Sequence, residues 1–352
     1  MTPLGTQMIA RIGRSGPITL ADYMADCLMH PDHGYYATRD PFGTAGDFTT
    51  APEISQMFGE LIGLSLAQSW LDQGAPSPMT LAELGPGRGT LMADILRATK
   101  SVPGFHAALT AHFVETSPVL RNAQAAVVAD ATWHNDVTTL PDQPLWLVAN
   151  EFFDALPIRQ FVRDTDGWRE RMVGVTDDAL TLGLSAAAPI DLLDHRLADT
   201  KAGDLVEHCP ALSGIVHQIA DKIARFGGAG LIIDYGDWQS LGDTLQALSA
   251  HEMVDPLAQP GQADLTAHVD FAAIAAHATP TKYSRLTPQG IFLERLGITQ
   301  RAQRLAQKLQ GDALDAHIKA HRRLTHPSEM GDLFKIIALY PATVTPPPGL
   351  EP

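Results

Sequence analysis

Leu81-Ala82-Glu83-Leu84-Gly85-Pro86-Gly87-Arg88-Gly89-Thr90 is the stretch that decides the fold. It begins as a short apolar run, the pattern of a buried strand, and continues into 90–98, where apolar residues recur at helical spacing. Between the two lies Gly-x-Gly-x-Gly. Glycines belong where a chain turns sharply from strand to helix and a ligand lies against bare backbone. The dinucleotide fingerprint is Gly-x-Gly-x-x-Gly, with a pyrophosphate on the helix N-terminus. Here the third glycine arrives one position early, which disfavours a nicotinamide enzyme. Gly-rich strand–helix turns also occur without a ligand, so the string alone leaves both readings open.

Outward from this turn, strands are expected over 80–84, 111–114, 132–134 and 145–149, with helices over 90–98 and 118–127. Ser117-Pro118 is a helix start. Strands alternating with helices imply a mostly parallel sheet with helices on both faces, an α/β Rossmann-like core. Segments 161–163 and 168–173 flank Asp166-Gly167, a hairpin signal. The amphipathic helix over 212–226 ends at Gly227-Gly228 and feeds a buried strand over 230–234; a last strand is expected over 332–340. Upstream, a helix over 20–30 is capped by Thr19, and a second runs over 52–71 with Pro52 in its first turn. The organisation expected is a helical N-terminal segment contributing to the cleft (1–75), the first part of the core (76–175), an insertion (176–212), a core helix and strand (213–235), a substrate-side insertion (236–290), and C-terminal helices with the final core strand (291–352).

The glycine turn, with Glu83 two residues before Gly85 and with Gly87 and Gly89 following, is similar to motif I of class I S-adenosylmethionine-dependent methyltransferases. Two further acids fall in register with it. Glu115 ends the next strand, where an acid can accept both ribose hydroxyls of an adenosine. Asp136 follows the third strand, where it can accept the adenine amino group. After the fourth strand comes Asn150-Glu151-Phe152-Phe153-Asp154-Ala155-Leu156-Pro157. Glu151 and Asp154, two acids three apart, suit a cationic acceptor. A guanidinium is protonated in proteins and therefore a poor nucleophile. Carboxylates can hold it by paired charge-assisted hydrogen bonds. Phe152 or Phe153 could pack on its plane, although both equally suit a core. The loop resembles the acid-bearing loop of protein arginine methyltransferases in position.

The chain resembles the MidA-like family of methyltransferases, which includes mitochondrial assembly factors for respiratory complex I. The resemblance rests on Ile18-Thr19-Leu20-Ala21-Asp22-Tyr23-Met24, His33-Gly34-Tyr35-Tyr36, and Gly46-Asp47-Phe48-Thr49-Thr50-Ala51-Pro52-Glu53. It continues through the glycine turn and the loop at 150–157 to Asp234-Tyr235-Gly236, Asp264-Leu265-Thr266-Ala267-His268-Val269-Asp270-Phe271 and Gln289-Gly290-Ile291-Phe292-Leu293. It implies a class I methyltransferase core, S-adenosyl-L-methionine as cofactor, and methylation of a protein arginine, plausibly on a core subunit of complex I. The other readings it leaves are methylation of another substrate, or an assembly factor that binds the cofactor with little catalysis. It places Glu151, Asp154 and Asn150 at the acceptor. Glu83, Gly85, Gly87, Gly89, Glu115, Asp136, Thr49 (or Thr50) and Tyr36 (with Tyr35) fall at the cofactor. The family's usual string after Asp234-Tyr235-Gly236 differs from Asp237-Trp238 here, which leaves position 237 without a role.

Composition sets outer bounds. Asp and Glu number 40 against 25 Lys and Arg, a formal net charge of −15. This argues against non-specific nucleic-acid binding, which needs basic side chains to neutralise phosphates, and is compatible with a cationic substrate. Cys27 and Cys209 are in no metal-ligand spacing, and neither they nor any His/Asp/Glu set suggests a metal site. With no long apolar run and no signal-peptide pattern, no membrane insertion and a cytoplasmic location are expected, against a mitochondrial matrix location in eukaryotic relatives.

Overall fold

The structure, a computed structural model, describes residues 1–38 and 49–352. Its centre is a sheet ordered Lys282–Tyr283, Phe334–Tyr340, Gly228–Asp237, Leu145–Asn150, Met79–Leu84, Leu109–Val114, Thr132–His134. The last five run parallel, and Phe334–Tyr340 lies antiparallel beside Gly228–Asp237. Met79–Leu84 and Leu145–Asn150 are buried along their whole length because both faces of the sheet are covered. Leu81, Trp146, Val148, Leu231 and Ile233 face one way, against the helix Gln56–Asp72 through Met57, Phe58, Leu61 and Ile62. Ala82, Leu147, Ala149 and Ile232 face the other, against the helix Leu212–Phe226 through Val216, Ile219 and Ile223. The period-two alternation of a strand thus fills two cores from one segment.

Helices Thr90–Ala98, Pro118–Val127 and Leu212–Phe226 fall at the expected residues. Other expectations differ. The helix over 52–71 is two: Ala51–Ile54 stops at Ser55, whose extended backbone and hydroxyl, accepting from the Met57 N–H, start Gln56–Asp72 anew. A helix at Pro3–Ser15, capped by Thr2 with proline in its first turn, had no counterpart in the reading of the sequence. The last strand begins at Phe334, after a short helix Met330–Leu333. The Asp166-Gly167 hairpin exists, but its strands Arg159–Asp164 and Gly167–Thr176 join a second, antiparallel sheet with Ile18–Thr19, Ala179–Leu184 and Leu205–His208. Segment 236–290 carries a three-stranded sheet of Gln246–Ser249, Glu252–Met253 and Asp264–Thr266. Ala247, Leu265 and Ala267 pack it on the N-terminal helices through Tyr23, Met24, Cys27 and Leu28. This packing brings 236–290 over the carboxyl ends of the central strands. No helix among the described residues is long and apolar enough to cross a membrane.

Candidate functional site

A cavity of about 470 Å3 opens at the carboxyl ends of Met79–Leu84 and Leu145–Asn150. From Met79–Leu84 the chain builds outward to Leu109–Val114 and Thr132–His134, then crosses to the opposite side with Leu145–Asn150. The order reverses between these two central strands, and the diverging connections leave a crevice where α/β sheets bind ligands. Glu53, Glu83, Glu115, Asp136, Glu151, Asp154 and Asp264 line it, with Arg88 as the basic residue among the described lining residues.

One end of the cavity is built by the glycine turn. Gly85 has φ +57, and a Cβ there would stand 2.8 Å from Phe152 Cδ2, so the residue must be glycine for the acid loop to close on it. Gly87 also lines the cavity, whereas Gly89 does not. Gly89, at φ +82, faces Val127 and Gln124 and lets the helix Pro118–Val127 approach. Glu83 is 3% exposed, and burial pushes its carboxyl well above the usual range, opposed by the Met92 backbone. Its Oε2 has no hydrogen-bond partner among the described residues. Glu115 accepts from the Ser117 N–H at 2.7 Å and from Gln124 Nε2 at 3.2 Å. Burial raises its proton affinity, and those donors oppose the rise. Gln124, fully buried, also donates to the Gly87 carbonyl at 2.7 Å and accepts from Trp133 Nε1 at 2.8 Å. One amide therefore ties the glycine turn to the Glu115 strand end. Asp136 caps a turn through the Thr138 N–H and lines the cavity beside Asn135.

The other end is the loop after Leu145–Asn150. Glu151 sits at φ +51, a conformation that costs a non-glycine residue of order 1–3 kcal/mol and clusters at functional sites. Its Oε1 accepts from the Ala51 N–H at 3.0 Å and from Asn150 Nδ2 at 3.1 Å. Burial pushes its carboxyl to about 7, with the Ala51 N–H opposing and Asp154 adding. Asp154 is 6% exposed and is pushed by burial to about 6, the Tyr235 hydroxyl opposing the rise, while its Oδ1 has no partner among the described residues. The loop is held from beneath by Asp234. Its Oδ2 accepts the N–H groups of Phe152, Phe153 and Asp154 at 3.2, 3.0 and 3.3 Å, and its Oδ1 accepts from Tyr235. Burial and the neighbouring Asp154 and Glu151 raise the proton affinity of Asp234, and the N–H groups of Tyr235 and Asp154 oppose them.

The structure thus brings Glu83, Gly85, Gly87, Glu115, Asp136, Tyr36, Asn150, Glu151 and Asp154 to one cavity. Thr50 lines it in place of Thr49, and Tyr35 lies in the N-terminal core while Tyr36 reaches the cavity. Phe152 faces the cavity and Phe153 is core. The string Gly46-Asp47-Phe48 lies outside the described residues. His268 stacks edge-on against Tyr235, and Asp270 caps the helix Phe271–His277. Among the described residues no His/Cys/Asp/Glu group has metal-binding geometry. The residues the sequence reading passed over are Gln124, Asp234, Tyr235, Asp264 and Thr266. Asp234, Tyr235, Asp264 and Thr266 stand inside the quoted family strings, a signal without a role attached. Gln124 gave none, being one amide on an amphipathic helix.

Residues 61–289 match the family described as "Putative S-adenosyl-L-methionine-dependent methyltransferase". The chain is 35% identical to the mitochondrial protein arginine methyltransferase NDUFAF7 homolog of Drosophila melanogaster, across 97% of this chain and 85% of that protein. It is 34% identical to the human mitochondrial protein arginine methyltransferase NDUFAF7, across 97% and 84%. Among solved structures, a likeness is found to a Burkholderia thailandensis superfamily member bound to S-adenosyl-homocysteine, with TM-score 0.82 and 27% identity over 98% of this chain and 94% of that one.

Proposed function

The chain belongs to this family of S-adenosyl-L-methionine-dependent methyltransferases, and from that premise we propose that the acceptor is an arginine side chain of a protein, a complex I subunit being the leading candidate class. The observation that carries the reading is the acceptor end of the cavity. Two carboxyls, the half-buried Glu151 and the buried Asp154, face the glycine turn across one cavity, and Asp154 keeps an oxygen without a partner among the described residues. The two relatives named as protein arginine methyltransferases support it.

The residues of the glycine end fit the cofactor. It carries a net positive charge, and the cavity offers it a rim dominated by carboxylates. The unpartnered buried Oε2 of Glu83 suits an ammonium donor. Gly85 and Gly87 leave bare backbone against the ligand, while Glu115 and Asp136 would take the ribose and adenine. When bound, the cofactor supplies an electrophilic methyl group on a sulfonium.

The protein's part is positioning and charge. Glu151 and Asp154 orient the guanidinium and hold its positive charge away from the attacking nitrogen. Burial leaves Glu151 with a proton affinity near neutrality, so it can receive the proton that nitrogen sheds on methylation. Asp234 keeps the loop in register, and Phe152 shields the reacting groups from water. Cys27 and Cys209 are both free thiols, which supports a reducing, cytoplasm-like compartment. The test is transfer of a radioactive methyl from labelled S-adenosyl-L-methionine to arginine-centred and lysine-centred peptide libraries, followed by acid hydrolysis and amino-acid analysis. Label in methylarginine is expected; label confined to another residue, or absent, overturns the reading.

A further inference from the structure

Glu53 lines the same cavity but belongs neither to the glycine turn nor to the acid loop. It stands half-buried on the four-residue helix Ala51–Ile54. The Thr90 hydroxyl donates to its Oε1 at 2.5 Å. Thr90 opens the helix Thr90–Ala98, directly after the glycine turn. The short helix is tied to the acceptor end as well, because its Ala51 N–H donates to Glu151 Oε1 at 3.0 Å. From the sheet side, Glu83 reaches the first turn of Thr90–Ala98, where the Met92 N–H opposes the rise in its proton affinity. Glu83 lines the cavity, is 3% exposed, and keeps its Oε2 without a partner among the described residues. Two carboxyls, one from a strand and one from a helix earlier in the chain, thus flank a single helix start, and the buried one has an oxygen with no donor among the described residues.

Like charges held together, one of them buried, are costly unless a cation with several donors lies between them. The helix N-terminus offsets part of that charge. With Glu115 and Asp136 assigned to the ribose and adenine, S-adenosyl-L-methionine brings one cationic group besides its sulfonium, the ammonium of its amino-acid end. An ammonium is a point charge with three donors, so it can serve two carboxylates at once. A carboxylate has about four lone-pair sites, so Glu53 can accept from Thr90 and from the ammonium together. Resting on the cofactor and independent of the arginine reading, we propose that Glu53 is a cofactor-binding residue: with Glu83 it grips the ammonium of S-adenosyl-L-methionine from the side opposite the sheet, oriented by Thr90. Thr90 is the positioning residue of the pair. The N-terminal segment thereby completes the cofactor site that the Rossmann-like core begins. One tetrapeptide sets the cofactor's amino-acid end through Glu53 and the Glu151 carboxyl through the Ala51 N–H.

The experiment titrates the wild-type chain, Glu53→Gln and Thr90→Val by calorimetry with two ligands. One is S-adenosylhomocysteine; the other is its deaminated analogue, which keeps the adenosine, thioether and carboxylate and lacks only the ammonium. Wild type should prefer S-adenosylhomocysteine by about 100-fold or more. In Glu53→Gln the affinity for S-adenosylhomocysteine should fall about 30-fold, while the analogue should lose no more than about threefold. Thr90→Val should lose about fivefold on S-adenosylhomocysteine alone, since the carboxylate remains but is no longer oriented. Binding of the analogue reports that each variant is folded. S-adenosylhomocysteine affinity of Glu53→Gln within about threefold of wild type overturns the role of Glu53 and leaves cofactor binding standing. A matching loss of both ligands also overturns it, because Glu53 would then shape the cavity without reading the ammonium. So does a wild type that does not distinguish the two ligands. A wild type that binds neither removes the cofactor site itself, and this inference with it.

Discussion

Replacing Glu151 by glutamine should make the protein more stable and less active, with a pH signature that separates the two effects. Burial moves the Glu151 carboxyl from 4.5 to about 7. A group with raised folded-state affinity for its proton adds stability below its unfolded value, and that stability is lost as pH rises through the folded value. Each tenfold change in proton affinity is about 1.4 kcal/mol, so the ionised carboxylate weighs up to about 3 kcal/mol against the fold above pH ~8. The side chain is half-buried at the cavity wall, so this is an upper bound. Glutamine keeps the shape and can accept from the Ala51 N–H, but it does not titrate. Unfolding entropy of about 2.1 cal/mol/K per residue converts about 3 kcal/mol into roughly 4 °C for a chain of this length. Thermal unfolding of the ligand-free protein should therefore show Glu151→Gln above wild type by up to about 4 °C near pH 8.5, the gap closing toward pH ~4.5. In the methyl-transfer assay the same variant should lose about 100-fold or more in kcat, having neither the charge nor the proton acceptor. A Tm difference that is absent near pH ~8.5, or that does not change between pH ~4.5 and ~8.5, would refute the argument.

Three further outcomes are expected. Wild-type kcat/KM should fall as pH drops below about 7, and fall more steeply below about 6, because Glu151 and then Asp154 take up protons and stop holding a cation; a flat profile from pH ~5 to ~8 contradicts this. Gly85→Val sets a side chain against Phe152 at a left-handed position, so calorimetry should show S-adenosylmethionine affinity reduced about 100-fold or more with the fold retained, and NADH should show no saturable binding even to wild type. Gln124→Leu strips the Gly87 carbonyl, Glu115 and the Trp133 indole of a shared buried partner and should weaken S-adenosylhomocysteine binding about tenfold or more; unchanged affinity would show that the amide serves packing alone.

Much of the cofactor end was readable along the chain because it is local. Glu83, Gly85 and Gly87 lie within five residues, and the helices that follow carry their own signals: an apolar stripe at Leu91, Met92 and Ile95, and a Ser117 cap before Pro118. Local signals misled where two readings share one composition. Pro52 to Leu71 is apolar enough for one helix, and the break depends on the extended backbone at Ser55. The hairpin around Gly167 was evident, but which sheet it joins depends on its pairing with Ile18–Thr19 and Leu205–His208.

The sequence by itself determined the glycine-rich strand–turn–helix, the acids at successive strand ends, and the acid loop at 150–157, because capping, glycine geometry and hydrophobic period act over a few residues. Only the tertiary structure decided which neighbours face the cavity: Tyr36 and not Tyr35, Thr50 and not Thr49, Phe152 and not Phe153. It alone placed Asp234 under the loop and Asp264 across from it, 80 and 110 residues beyond Asp154. The reason is that direction and burial of a side chain are set by what packs against it. Proton affinity follows burial, so the chemistry of these carboxyls exists only once the N-terminal helices and segment 236–290 have closed over the sheet.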